Sequence, residues 1–421
     1  MIRPLLIGVA LLAMSRLAAG QSLGASAAIS TSAASAEAGQ IATPMPGTAA
    51  PAAAPAGATP EFEITPRGYV QIDWRGFPDW GIVPGVGRLS RDSFEVRRLR
   101  IGVEGRWRWL EYEATIDPQD NDGVFARDVY GQTRLPGGFR LRVGQFKVPG
   151  SAEYGEPART LDLLERSAFA MTIAPGRDIG AMVSGRIGRP LAFDAGVFAG
   201  DGNGRDSRSG TTAAARLVWR TARDLDVAAS TSVGTTSAAD AEPANGLVGR
   251  STVWYRFFDR VYVDGVRTRF GGDVRWSPGG WRVTGEIMRA HDERRGQGQE
   301  FDDLPGVVGL GWSAAVRRQL GRRGGAARSR WREMDLTLRL DGLSFDDTGA
   351  ATGRDSVRLR AADIRARSVT TATAGLSWVP VRWGRILTSV AREHYGDARS
   401  APTPGRADYW SAGVRLQLEL P

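Results

Sequence analysis

Residues 266–292 read VRTRFGGDVRWSPGGWRVTGEIMRAHD. Two strand-length runs, 266–277 and 281–292, flank the turn Pro278-Gly279-Gly280, and a polar loop from Glu293 to Pro305 follows. In the first run Val266, Phe270, Val274 and Trp276 share one parity, while Arg267, Arg269, Asp273 and Arg275 share the other. That period of two belongs to a strand with one apolar and one polar face. The cycle of run, tight turn, run and long loop recurs around Val379-Pro380-Val381-Arg382, with the loop Tyr395 to Gly405 after it. Short turns alternating with long loops are the mark of a transmembrane antiparallel β-barrel, with turns on the periplasmic side and loops outside.

The same parity runs outward along the chain. Met334, Leu336, Leu338 and Leu340 oppose Asp335, Thr337, Arg339 and Asp341, and Val414, Leu416, Leu418 and Leu420 oppose Arg415, Gln417 and Glu419. The all-β reading gives about sixteen strands, over 63–76, 91–106, 109–117, 123–134, 138–148, 178–188, 190–199, 210–220, 224–234, 266–277, 281–292, 306–320, 331–344, 366–379, 383–394 and 406–420. Val248 to Phe258 is aromatic enough for a strand, but an extra strand breaks both the even count and the turn alternation. It is assigned to a large outer loop. Trp107, Trp109, Trp219, Trp276, Trp281, Trp331, Trp378 and Trp383 fall near strand ends, where amphipathic rings favour the membrane interface.

Before the barrel domain, placed at 61–421, lie two other segments. Residues 1–20 combine Arg3, the apolar stretch Leu5 to Met14 and the triplet Ala18-Ala19-Gly20, which reads as a signal peptide. Residues 21–60 are rich in Ala, Ser, Thr and Pro and cannot bury enough to order themselves. With zero cysteines, no disulfide framework or thiolate metal site is expected, and the strand ladder must hold the protein together. The formal charge of +9 falls to +7 once Arg3 and Arg16 leave, and Lys147 is the only lysine. Basic residues spaced by strand parity line a pore and do not form a nucleic-acid-binding face. His291 and His394 are the only histidines and no Ser motif accompanies them, so neither catalysis nor a cofactor or metal is expected.

In the second strand Phe94 and Val96 set one parity, and Leu99, Ile101 and Val103 set the other. The slip at Arg97-Arg98 predicts a β-bulge, which frees two neighbouring side chains to aim the same way. Two adjacent guanidiniums pointing into a lumen make a clamp for an oxyanion. Alternatively, one of them pairs with an acid of the neighbouring strand, Glu111 or Glu113. Arg100 and Arg106 extend the positive row, and Arg140, Arg142, Arg186, Arg216, Arg220, Arg267, Arg269, Arg282, Arg317 and Arg415 also read as inward. A pore lined by arginine favours anions. The excursion Pro149 to Gly176 carries a helical stretch Thr160 to Arg166 and four large apolar residues, Leu161, Leu163, Leu164 and Phe169. These must be buried, either by folding into the barrel as a constriction loop or against a neighbouring subunit.

From Gly68 onward the chain resembles the phosphate-selective porins O and P. The resemblance rests on Gly68-Tyr69-Val70-Gln71, on Phe94-Glu95-Val96-Arg97-Arg98-Leu99-Arg100 with Gly105, on Leu141 to Pro149 (LRVGQFKVP), on Leu164-Glu165-Arg166, on Arg177-Asp178-Ile179-Gly180, on Gly196 to Gly202, and on Gly285-Glu286. It implies a homotrimeric sixteen-stranded channel in outer-membrane lipid that passes inorganic anions, phosphate or polyphosphate, past a basic constriction loop. By position Arg97 and Arg98 match the family's paired arginines, and Arg159 lies where its loop offers a basic residue. Tyr154 and Glu156 stand where loop lysines are expected, and the chain ends Leu420-Pro421 instead of on an aromatic. The candidate anion-binding and pore-lining residues are thus Arg97, Arg98, Arg100, Arg142, Lys147, Arg159, Arg166, Arg267 and Arg269. The alternative is a general porin whose arginines balance acids across the lumen.

Overall fold

Along residues 334–341 the polarity is inside out. In the computed structural model Leu336, Leu338 and Leu340 are 39%, 48% and 46% exposed, while Asp335, Thr337, Arg339 and Asp341 are 7%, 3%, 8% and 0% exposed. Leaving leucines outward and burying charges is unfavourable in water and favourable in hydrocarbon around a polar lumen. No helix among the described residues is long and apolar enough to cross a membrane; the strands do the crossing.

The structure describes residues 62–420 apart from 78–81, 84–86, 89–91, 120–125, 201–209, 222–223, 237–246, 262, 298–301, 321–332, 348–366, 399–400 and 404. The expected signal peptide 1–20 and the segment 21–60 lie outside the described residues. In chain order the strands are β1 (Phe62–Gly76), β2 (Ile82–Val83), β3 (Gly87–Arg88), β4 (Asp92–Trp107), β5 (Leu110–Ile116), β6 (Ala126–Arg134) and β7 (Arg140–Lys147). Next come β8 (Arg177–Ile187), β9 (Leu191–Phe198), β10 (Thr212–Arg220), β11 (Leu225–Thr236), β12 (Leu247–Arg250), β13 (Arg256–Val261) and β14 (Gly265–Trp276). The last are β15 (Trp281–Arg294), β16 (Leu304–Gln319), β17 (Met334–Asp347), β18 (Arg367–Val381), β19 (Gly384–Tyr395) and β20 (Asp408–Glu419).

Sixteen of these close into one antiparallel barrel; β2–β3 and β12–β13 are separate hairpins outside it. Closure pairs β1 with β20, Tyr69 opposite Glu419, and leaves the barrel no open edge. Each of the sixteen spans read from the sequence has its strand, with ends displaced by a few residues. The aromatic segment 248–258 lies outside the barrel sheet, as the parity argument requires, and forms the β12–β13 hairpin. Tight turns at one end run over 108–109, 135–139, 188–190, 277–280 and 382–383. Trp107, Trp109, Trp219, Trp276, Trp281 and Trp383 are exposed at this end of the strands, where amphipathic rings favour a membrane interface.

The expected bulge is present. Gln71 pairs with Arg98 and Ile72 with Val96, so Arg97 is the extra residue. The apolar core does not fill the barrel; its largest cluster joins Phe169 and Ile173 to Phe345, Tyr395 and Tyr409 where chain entering from outside meets the wall. Gly311 permits that approach, because a Cβ there would stand 2.2 Å from Phe169 Cβ.

Candidate functional site

Residues 148–176, between β7 and β8, fold into the lumen. Leu161, Leu163, Leu164 and Phe169 are all buried. Two short helices stiffen the path, Ala152–Gly155 and Ala168–Thr172, capped by Ser151 and Ser167 through bonds from Tyr154 N and Ala170 N. Glu286 on β15 accepts from Ala152 N and Glu153 N at 3.1 and 2.9 Å, tying the entry of the loop to the wall. The helix expected over Thr160–Arg166 is not formed: a 3-10 turn ends at Thr160 and Leu161 is extended. Asp162 and Glu165, three apart, would share one helical face. The structure sends them to different walls, which a helix does not allow.

Glu165 lies at the centre of a set of arginines. Arg97 Nε donates to Oε1 at 2.7 Å, Arg98 Nη2 to Oε2 at 2.9 Å, and Arg75 Nη2 to Oε1 at 2.8 Å. Arg415 Nη2 adds a contact at 3.3 Å while its Nη1 donates to the Leu164 carbonyl at 2.7 Å. Asp73 supports the group from behind, accepting from Arg415 Nε at 2.6 Å and Arg75 Nη2 at 2.8 Å. Burial alone would raise the Glu165 carboxyl, but the charges of Arg97, Arg98, Arg75 and Arg415 hold it well below the usual carboxylate range. The bulged pair therefore does converge on an anion, and the anion is the protein's own. Neither Glu111 nor Glu113 is the partner; Glu111 pairs with Arg134, and Glu113 accepts from the Tyr130 hydroxyl.

Asp162 reaches β15, β16 and β19, 3.0 Å from Arg282 and from Arg317 and 3.9 Å from Arg385. Arg159 is half-buried in this stretch, and its carbonyl accepts from Arg385 and Gln417 at 3.0 Å each. Gln417 also contacts Gln71, whose Oε1 accepts from Arg98, so a polar relay joins the Arg159 backbone to the clamp. On the wall, Arg267 and Arg269 share Asp292 at 3.1 and 2.6 Å, and Arg269 also donates to the Ile173 carbonyl. Arg142 donates to Gln132 and stacks 4.1 Å from the Tyr130 ring centre.

A different arrangement surrounds Lys147. Its ammonium donates to the carbonyls of Gly155 and Glu156 at 3.0 and 2.9 Å, and the charges of Arg177, Arg166, Asp128 and Arg100 act on it. Arg166 likewise donates to backbone carbonyls, of Glu153 at 3.1 Å and of Glu156, with the Tyr154 ring 5.4 Å away. Among the described residues neither has a carboxylate partner. Burial, and then the like charges of Arg98, Arg100 and Arg177, bring the Arg166 guanidinium down to about 10. Arg100 pairs with Asp117 and Arg177 with Asp128, and Arg127 lies within reach of both arginines. Cations outnumber carboxylates here, so the patch is net positive beside the constriction loop.

Arg127 and Arg177 are not among the candidate anion-binding residues read from the sequence, though Arg177 stands in one of the motifs that carry the resemblance, and Glu165 had no assigned role. Its signal was available: an acid beside two leucines in a loop that must enter an arginine-lined lumen has arginines as its natural partners.

A closed sixteen-stranded barrel with an inward loop and a basic lumen defines a porin. The chain belongs to the phosphate-selective porin O and P family, whose pattern matches residues 67–418, and it is a channel of the bacterial outer membrane. Solved structures of similar shape include the outer membrane channel DcaP of Acinetobacter baumannii, at 10% identity and TM-score 0.56 over 86% of this chain and 99% of that one. The in-vitro folded trimer form of OmpT from Vibrio cholerae has 11% identity and TM-score 0.55 over 85% and 99%. An anion-selective porin from Comamonas acidovorans has 12% identity and TM-score 0.52 over 86% and 100%. At these identities the likeness is one of fold. No curated protein sequence matches the chain closely enough to count as a relative.

Proposed function

We propose that this channel passes small inorganic anions of the phosphate class, and that Lys147 and Arg166, flanked by Arg100, Arg127 and Arg177, form the step at which the anion is held. The supporting observation is that, among the described residues, Lys147 and Arg166 form no ion pair with a carboxylate and are held by carbonyls, with Asp128 and Glu156 acting on them only through space. An ammonium has three donors, and carbonyls take two from Lys147. The family name agrees with this reading. Fixed positive charge in a narrow lumen raises the local concentration of anions. Arg97, Arg98, Arg267 and Arg269, closed on acids, serve mainly to hold the loop and wall. Those same ion pairs favour a second reading, a general anion-tolerant porin without phosphate preference. No step of this function calls for a catalytic group.

The assembly is proposed to be a homotrimer in outer-membrane lipid, on the family and on the trimer form of OmpT, with residues 1–20 removed on export and 21–60 left as a periplasmic segment. The test is a planar bilayer under a chloride gradient, with phosphate added as a blocker. Anion-directed reversal and block at sub-saturating phosphate support the reading; reversal without block selects the general porin, and cation-directed reversal overturns both.

A further inference from the structure

The outer connection between β11 and β14 carries the β12–β13 hairpin, and its turn points into the barrel. The turn closes through Ser251 N donating to the Tyr255 carbonyl at 2.9 Å. The Thr252 hydroxyl donates to the Glu393 carboxylate on β19, and the Thr172 hydroxyl of the constriction loop donates to the Arg250 carbonyl at 3.4 Å. Tyr255 and Phe257 pack edge-on against Tyr395 at 5.7 and 6.3 Å. The hairpin is thus seated on both the wall and the first loop.

At its apex Trp254 has φ +70°. A bulky residue in the left-handed region is strained and persists only where its surroundings fix it, which happens most often at functional positions. The turn's backbone bonds hold it, Trp254 N donating to the Ser251 carbonyl at 3.0 Å, and two cations hold the ring. The Arg97 guanidinium lies 4.5 Å from the indole centre and that of Arg250 5.2 Å, distances at which a cation is attracted to an aromatic face. Arg97 is itself oriented by Glu165. A ring clasped between a wall cation and a cation of its own hairpin bridges the hairpin to the β4 wall, where Arg97 also holds the constriction loop through Glu165.

We propose that Trp254 is a specificity-determining residue of the channel: its indole, clasped by Arg97 and Arg250, closes the lumen over the Glu165 clamp and limits the size of solute that passes. The limit is steric and holds for whichever anion is carried, so its failure and the failure of the anion reading appear in different measurements, exclusion size and reversal potential.

The experiment uses the full protein in planar bilayers with polyethylene glycols of graded size as exclusion probes, comparing Trp254→Ala, Trp254→Gly and Trp254→Phe. Glycine adopts the left-handed backbone freely, so it removes the ring without disturbing the turn. Alanine and glycine are expected to raise single-channel conductance and admit larger glycols, while phenylalanine keeps the native limit. Two results overturn the proposal: unchanged exclusion in both small variants, or native behaviour in glycine with change in alanine alone, which traces the effect to the backbone. Heat-modifiable mobility on gels confirms that each barrel has folded, and if alanine fails to fold, the glycine and phenylalanine pair decides.

Discussion

Two groups of cations face the same loop and are used differently. Around Glu165 the guanidiniums of Arg75, Arg97, Arg98 and Arg415 meet an acid and are nearly all buried. Around Lys147 and Arg166 the hydrogen-bond partners are carbonyls, and it is this group that is proposed to meet the solute. On the proposed function the first group fixes geometry and the second sets the field. A row of arginines in a porin is therefore not in itself an anion path, because an inward loop brings its own acids and cancels those it touches.

The sharpest way to break this contrast is Glu165→Gln. Removing one partner of a buried ion pair costs about 3–5 kcal/mol, because the remaining charges stay uncompensated. The constriction loop should leave its seat and single-channel conductance should rise several-fold; Arg97→Ala with Arg98→Ala should do the same. Native conductance in both would mean that the clamp does not hold the loop.

Lys147→Ala with Arg166→Ala tests the other group. Anion selectivity should fall and phosphate block disappear, with conductance changing far less than in the Glu165 variant. If selectivity persists, the field must come from the ion-paired arginines and the contrast fails.

Protonation gives a smaller and reversible probe. Burial, and then the neighbouring Asp162 charge, push the loop carboxyl of Glu156 up to about 7, against the opposing pull of Arg275 and Arg166. Because its folded-state value lies above the ordinary carboxyl value, the neutral form favours the docked loop, and that contribution is lost as pH rises through about 7. The same rise places a negative charge at the constriction. Anion selectivity should therefore decline as pH passes from below to above this value, and Glu156→Gln should flatten the profile; an unaltered profile in that variant assigns the titration elsewhere.

Asp162→Asn should have the smallest effect. Asp162 and its arginines are partly exposed, where an ion pair is worth about 0–1 kcal/mol. A slight gain in anion current is expected with no change in heat-modifiability, and loop release as large as that from Glu165→Gln would equate the two anchors.

Much of this was legible in the residues. Strand parity is a local property, since side chains alternate whatever the strand packs against, and so 334–341 and 266–276 declared their lipid and lumen faces. The register slip between Val96 and Leu99 is equally local and located the bulge at Arg97. The inward loop was one of two burials open to its four apolar residues, the other being a neighbouring subunit. The partner of each charge did not follow, because it depends on where a loop lands after a long excursion: Glu165 meets Arg415 across 250 residues of chain. Local preference also misjudged 160–166, whose helical pattern yields to the separate pulls on Asp162 and Glu165. The sequence by itself determined a barrel, its strand count and an arginine-rich lumen, because these rest on period and turn length. Only the tertiary structure decided which arginines are closed on acids, which are held by carbonyls instead, and that Trp254 stands between two arginines, because ion pairing and burial belong to side chains that closure of the barrel brings together.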